Sequence, residues 1–384
     1  MLASLLLRVI QILHHSLGHI YANEEPESGA EGWHELIARE IAKRTQDIAL
    51  ECWRPESSAH VPETWTDSYK VAHRVYPSMR VRYGIELSLP LIEALRTEVG
   101  KDERVLLHLH GIFNLGTYSV ALKFGGKLPI AVQSHDPTPS ANRGVARLQN
   151  SLRRYALHKV DCFFLSSENE AQAFSGVCDP NKVRLTPMPV DTKVFRRTDK
   201  RIARMKLGWK DDDYYVVYVG RLEKRKGVRY LMQASQMLAA RFPNLHVMAV
   251  GSGRLAIEAK NDLELVGRVG YGELPTYYNA ADICVLPSLG ESWGRVVLES
   301  LACQTPVIAT MTGCVPTLVT EGVEGLFTVP MRDDAALAVR ISEVLPRSGE
   351  LRSKIDTTKI ERYDSDSFVE QMLVKYEELA SCYH

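Results

Sequence analysis

The stretch Glu291 to Glu299 places two carboxylates, a glycine and an arginine directly after the apolar run Ile283 to Pro287. Its spacing predicts a helix starting near Arg295. Gly294 permits close backbone approach, and the first-turn amides of Arg295 and Val296 have no intrahelical partner, which makes an anion site. Glu291 precedes that helix and Glu299 lies roughly one turn inside it, so the carboxylates meet different parts of one extended ligand, one a sugar and the other a ribose. A capped helix with Glu299 solvated on its surface is the plainer alternative. A second stretch, Val219 to Gly227, also ends an apolar run. Arg221 offers a planar fork for phosphate oxygens and Lys226 a compact point charge, which are the two groups a departing diphosphate needs. A solvated basic turn is the alternative here. Asp211 to Asp213 and Asp364 with Asp366 have a spacing that can hold a divalent metal. The first lies in a polar turn. The second precedes a helix Phe368 to Leu379 that Asp366 or Ser367 would cap, and neither has a partner ligand set, so no metal is expected.

These groups need a scaffold, and the pattern of apolar runs supplies one. Arg8 to Leu13, Asp47 to Cys52, Val105 to His110, Pro129 to Ser134 and Val160 to Leu165 read as buried strands, with a helix-period segment from Gly32 to Lys43 between the first two. That alternation is the punctuation of parallel sheets covered by helices. Pro187 to Phe195 breaks the rhythm with two prolines and reads as an interdomain linker. A second run then opens at Tyr214 to Val219. It continues with helix Lys226 to Arg241, strand Leu245 to Val250, helix Leu274 to Ala281, strand Ile283 to Pro287, helix Arg295 to Cys303 and strand Pro306 to Ala309. The fold class is α/β, with two doubly wound Rossmann-like domains of similar size. Ligands in such sheets bind outside the carboxyl ends of the strands, so the cleft between the domains is the expected place for chemistry. Pro55 to Glu103 is the least regular region, with moderate strand content expected.

Composition excludes several classes. The 384 residues suit two domains, with 45% apolar and 24% charged residues as in ordinary globular proteins. Lys plus Arg and Asp plus Glu balance at 47 each, so no global field would hold nucleic acid, and none is expected as a partner. Seven cysteines without a Cys-x-x-Cys pair read as reduced core thiols of a cytoplasmic protein. The longest uncharged run, Ser300 to Thr320, carries Pro306, Gly313 and Pro316 and is no spanning helix. Met1 to Leu13 has its arginine in the middle and is expected to be a buried first strand rather than a signal peptide. A helix from Arg143 to Lys159 carries five Lys or Arg and no acid. Its basic face suits an acidic acceptor, or peripheral contact with anionic lipid on the inner face of a membrane; a solvated face is the alternative.

Gly220 to Gly227, Val250 to Gly253, Val266 to Val269, Tyr278 to Ser288 and Glu291 to Glu299 follow in an order and spacing that resembles glycosyltransferase family 4. The resemblance is specific across residues 183–379 and looser before them. It implies the GT-B fold, two Rossmann-like domains facing each other across a cleft, and transfer of a sugar from a nucleotide diphosphate with retention at the anomeric carbon. In that family, residues like Arg221 and Lys226 grip the donor diphosphate, Glu299 binds the ribose and Glu291 contacts the transferred sugar. Gly267, Arg268 and Val269 resemble the segment that meets the base. Ser292, Trp293 and Gly294 belong to the donor loop, and the Arg295 and Val296 amides resemble diphosphate ligands.

Ala131 to Asp136 is similar to the family's strand ending in a histidine beside the donor sugar, which gives His135 that role. His110-Gly111 resembles a loop near the acceptor, with a structural role as the alternative. The glycine-rich loop of the family survives here only as Gly29, between Ser28 and Ala30. The usual glycine pair is Gly313-Cys314, with Thr317 where the family has an acid, and the Lys-x-Gly-Gly of starch and glycogen synthases is missing.

The resulting reading is a metal-independent retaining hexosyltransferase with no cofactor beyond its nucleotide-sugar co-substrate, UDP- or GDP-linked. Residues 1–196 would bind a glycan, lipid-linked or small-molecule acceptor, and residues 197–365 the donor. The last helix, within 366–384, would return to the first domain. A sugar-nucleotide epimerase of the same fold and a catalytically silent binding subunit are the alternatives.

Overall fold

A computed structural model describes residues 6–13, 33–81, 85–98, 101, 104–112, 115–134 and 153–383. The chain forms two compact units, one of Met1–Thr186 with Phe368–His384 and the other of Pro187–Ser367. The division at Thr186/Pro187 falls earlier than the expected boundary at 196.

The first unit is built on β1 (Leu7–Leu13), β2 (Ile48–Glu56), β3 (Glu63–Thr66), β4 (Ala72–Pro77), β7 (Val105–His110), β8 (Ile130–Gln133), β9 (Cys162–Leu165) and β10 (Val183–Leu185). Between them, β5 (Met79–Val81) and β6 (Ile85–Leu87) make a separate antiparallel pair. The main sheet runs β10-β9-β8-β7-β1-β2-β4-β3, parallel throughout except for the edge strand β3. β1 is central and buried along its whole length. Alternation along the strands supplies two cores. Ile10, Ile12, Leu107 and Leu109 face one way. Leu7, Val9, Leu106 and Phe164 face the other.

That second core is shared with Phe368, Val369, Met372, Tyr376 and Leu379 of the helix Ser365–Ser381. Each such buried side chain contributes about 1.5–3 kcal/mol, which fastens the end of the chain to this unit. Asp364, not Asp366 or Ser367, accepts from a first-turn amide of this helix, because the helix begins at Ser365, ahead of both expected caps. The irregular region after Pro55 resolves into β3 to β6 and a helix Leu89–Glu98. All seven cysteines are free thiols, six of them buried.

The second unit contains β11 (Tyr214–Val219), β12 (Leu245–Val250), β13 (Glu264–Gly267), β14 (Ile283–Leu286), β15 (Val307–Thr310) and β16 (Leu326–Val329), ordered β13-β12-β11-β14-β15-β16 and all parallel. This is the 3-2-1-4-5-6 order of a Rossmann sheet, whose order reverses between β11 and β14. Local residues set the ends of its helices. Asp199 caps Lys200–Leu207 by accepting from the Ile202 amide, and Gly208 ends it in the left-handed region. The expected helix Lys226 to Arg241 is shorter, Val228–Ala239. Gly227 at φ 71° separates it from a 3₁₀ turn Lys224–Lys226. The linker is ordered: Val190 N–H donates to Tyr363 O, and the Thr192 amide and hydroxyl both donate to Asp364 Oδ1 at 3.0 and 2.6 Å.

Candidate active site

Helices leave β11 and β14 on opposite faces of the sheet, so the loops after these strands part and open a crevice. Both chemistry-bearing stretches are those loops. They touch at Gly227, where a Cβ would stand 1.8 Å from Pro287 O, so only glycine lets the backbones approach this far. Further pins hold the two loops together. Leu289 N–H donates to Arg225 O at 2.8 Å and Arg225 Nη1 to Gly290 O at 2.6 Å.

The consequence is a direct ion pair between two residues assigned to the site. Lys226 Nζ lies 2.8 and 2.7 Å from Glu291 Oε1 and Oε2, with the side chains 17% and 6% exposed. Lys226 is thus no part of a solvated basic turn. Arg221, by contrast, is 56% exposed and 3.2 Å from Glu223. Its backbone is held by Tyr218, whose hydroxyl donates to Arg221 O at 2.7 Å. An exposed guanidinium on a fixed backbone is available to an incoming anion.

Gly294 sits at φ 84° before the helix Arg295–Ala302, and no side chain caps that helix start. First-turn amides without a side-chain cap are an anion-binding terminus. Glu299 is not solvated on the helix surface; it is only 4% exposed. Tyr278 OH donates to its Oε2 at 2.9 Å and Arg295 Nη2 lies 3.1 Å from its Oε1. Arg295 also donates to Tyr271 OH at 3.0 Å and stacks its guanidinium over that ring. Burial first, then the Glu299 carboxylate, pushes the Tyr278 phenol well above its usual range, so it stays a donor at neutral pH. Sequence reasoning missed both tyrosines. Tyr278 lies inside a motif that was recognised, yet nothing local says that its hydroxyl reaches Glu299.

Arg268 and Val269 follow β13 at the same end of the sheet and are half-buried. Ser292 is half-buried too, whereas the Trp293 side chain turns inward, 2% exposed and packed 5.7 Å from Tyr363. Trp293 therefore offers a ligand its backbone rather than its indole. Its carbonyl already accepts from Cys314 N–H at 2.6 Å. Arg221, Lys226, Glu291 and the Arg295 helix start are thus gathered at the loops after β11 and β14.

His135, Gly29 and residues 143–152 of the basic helix lie outside the described residues. Of that helix's described part, Arg154 Nε donates to Gly176 O. His108 and His110 are fully buried; His108 Nδ1 is 2.7 Å from Tyr376 OH and His110 Nε2 3.1 Å from Gln11 Oε1, which is the structural alternative. Two of the acids at 211–213 face neighbouring bases. Asp211 faces Arg201, and Asp213 faces Lys210 and His246.

Two family models match the chain, "Glycosyltransferase Family 4" over residues 29–194 and "Glycosyl transferases group 1" over 199–362. A D-inositol 3-phosphate glycosyltransferase of Geodermatophilus obscurus is 35% identical over 188 residues, 44% of this chain and 41% of that protein. The same-named protein of Mycobacteroides abscessus is 29% identical over 256 residues, 62% of this chain and 55% of its own length. The chain spans about half the length, or less, of these curated relatives. Among solved structures, sucrose-phosphate synthase from Thermosynechococcus elongatus superposes with a TM-score of 0.77 at 21% identity, covering 98% of this chain and 100% of that one. HepE of Anabaena in complex with UDP superposes at 0.71 with 17% identity, covering 97% and 100%. These likenesses show the fold.

Proposed function

Since the chain belongs to glycosyltransferase family 4, with its two Rossmann-like domains, we propose that it moves a sugar from a nucleotide-diphosphate sugar to a hydroxyl of a small-molecule acceptor, with retention. The second unit holds the donor. Arg221, Lys226 and the Arg295 and Val296 amides receive the diphosphate and stabilise the charge it develops as it leaves. Those groups supply the electrostatics that a metal would otherwise provide, so the reaction needs none. Glu299 takes the ribose, Glu291 the transferred sugar, and Arg268 with Val269 the base. UDP is the favoured nucleotide, supported by the UDP complex of HepE. A phosphorylated polyol is the favoured acceptor, supported by the names of the curated relatives.

The observation that carries this reading is the meeting of Lys226, Glu291 and an uncapped helix start where the sheet order reverses. A thermal-stabilisation screen of nucleotides and nucleotide sugars tests it, because a ligand that binds only the folded state raises the melting temperature. UDP-linked sugars are expected to stabilise and, with a polyol phosphate, to yield a glycoside. No stabilisation by any nucleotide would overturn the donor assignment, and donor altered without acceptor would make the chain an epimerase.

A further inference from the structure

The helix Arg295–Ala302 has a second end, and a cavity of about 380 Å³ opens there. Its walls come from the linker (Thr192, Phe195, Arg196, Arg197), from Ala302 with Gln304, and from the segment before the last helix (Thr357, Ile360, Glu361). All lie within the second unit. A helix of eight residues spans about 12 Å, so this cavity and the Arg295 amides stand at opposite ends of one rod.

The lining has the chemistry of a phosphorylated polyol site. Arg196 and Arg197 supply two guanidinium forks. Arg197 is set in place by Gln304, whose Oε1 accepts from Nη1 at 2.8 Å. Among the described residues no hydrogen bond or ion pair engages the Arg196 guanidinium, while its backbone carbonyl is tied to Asn279 Nδ2. Against these stands one carboxylate, Glu361, which leaves the lining net cationic and provides an acceptor for hydroxyls. Phe195 and Ile360 give apolar wall for the carbon face of a sugar. Burial first, and then the charge of Arg197, push the neighbouring Arg352 down to about 10.

The cavity is also connected to the candidate active site. The Phe195 ring meets the rings of Tyr271 and Tyr278 edge-on, with centroids 5.0 and 6.0 Å away. Tyr278 donates to Glu299 and Tyr271 accepts from Arg295. Ala302, in the cavity wall, lies about one turn beyond Glu299 on the same helix. A ligand that presses on Phe195 or Ala302 therefore bears on the two groups that hold Glu299.

We propose that this cavity is a second binding site, for a phosphorylated sugar or polyol of about six carbons, and that its occupancy changes nucleotide affinity at the Glu299 end of the same helix. Binding in the cavity does not depend on the transfer reaction; the effect on nucleotide affinity rests on the donor assignment above.

Calorimetry on the full chain tests it, with mannose 6-phosphate and inorganic phosphate as probes and UDP as reporter of the donor site. Mannose 6-phosphate is expected to saturate below about 20 mM and to bind about tenfold tighter than inorganic phosphate, which lacks the polyol contacts. It is expected to shift UDP affinity by about fivefold, with UDP shifting mannose 6-phosphate by the same factor. Arg196→Gln should weaken the probe about tenfold. Thr357→Phe, which fills the cavity and removes no charge, should abolish probe binding and the UDP shift while leaving UDP binding and the melting temperature as in the wild type. Three results would each overturn the proposal: no saturation, mannose 6-phosphate binding that survives Thr357→Phe, or simple competition with UDP. If UDP alone does not bind, the donor reading has failed, and the probe titrations on wild type, Arg196→Gln and Thr357→Phe still decide the cavity.

Discussion

Lys226 and Glu291 close on each other, ammonium to both carboxylate oxygens, across two loops that meet only because Gly227 has no side chain to keep Pro287 away. One residue is assigned to the diphosphate and the other to the sugar. Donor binding in the proposed reaction is therefore an exchange of partners, in which the diphosphate takes over Lys226 and the sugar hydroxyls take over Glu291.

This pairing separates two substitutions that the sequence treats alike. Arg221→Ala should lower turnover by about 10²–10³. Because Arg221 is exposed, its loss should leave stability within about 0.5 kcal/mol. Lys226→Ala should do both kinds of damage, since it strands the Glu291 carboxylate in a largely buried place at a cost on the order of 3 kcal/mol. Steady-state kinetics and thermal melts on both variants check this. Turnover within about threefold of wild type for both would remove the diphosphate from this site.

Tyr278→Phe deletes the hydroxyl that orients Glu299 and adds nothing. Leaving a buried carboxylate oxygen without its donor costs about 1–3 kcal/mol. UDP titration should show affinity weakened by about tenfold. Unchanged UDP affinity would mean that Glu299 needs no help from Tyr278.

Gly227→Ala is expected to be among the most damaging single-methyl changes in the second unit, because the added carbon would stand 1.8 Å from Pro287 O and φ there is 71°. The loops after β11 and β14 must then part, which separates Lys226 from Glu291. Circular dichroism should show a lowered melting temperature, and activity should fall at temperatures where the fold survives. Wild-type behaviour in both would contradict the loop contact.

Chelation tests the electrostatic argument. With Arg221, Lys226 and helix amides at the diphosphate, activity should survive excess EDTA. Loss with chelator and rescue by manganese or magnesium would return attention to Asp211 and Asp213.

A pH dependence is expected in the first unit. His73 sits between Glu35 and Asp67, 3.1 Å from the latter, and stacks on Trp65. Burial opposes its charge, but the hydrogen bonds and charges of Glu35 and Asp67 prevail and raise its pKa. A raised histidine contributes stability below its unfolded value of about 6.5 and loses it as pH rises through the folded value. Thermal melts should therefore show stability falling from pH 6 upward through that value, and His73→Gln should flatten that limb. A wild-type slope unchanged by the substitution would place the titrating group elsewhere.

The fold was largely legible in the residues. Largely apolar runs such as Leu245–Val250 and Val105–His110 matched strands to the residue, because a strand covered on both faces is mostly apolar, with buried polar side chains such as His108 and His110 hydrogen-bonded inside. Gly294 likewise marked the start of the helix Arg295–Ala302, whereas the last helix begins ahead of the caps expected at Asp366 or Ser367. The stretches Val219 to Gly227 and Glu291 to Glu299 could be picked out as site material for the same local reason: they end strands and open helices.

Tertiary structure alone decided what those stretches do to each other. Lys226 and Glu291 are 65 residues apart in the chain, and they pair only because the sheet order sets β11 beside β14 and Gly227 admits Pro287. Glu299 could be read as solvated or as a ligand group until Tyr278 and Arg295 were found on its two oxygens. Periodicity records which face of an element is apolar, and it carries no information about which polar groups of different elements share that interior. That depends on strand order and on the close approach of loops, and it settles whether a charge in the sequence becomes a solvated side chain or part of a site.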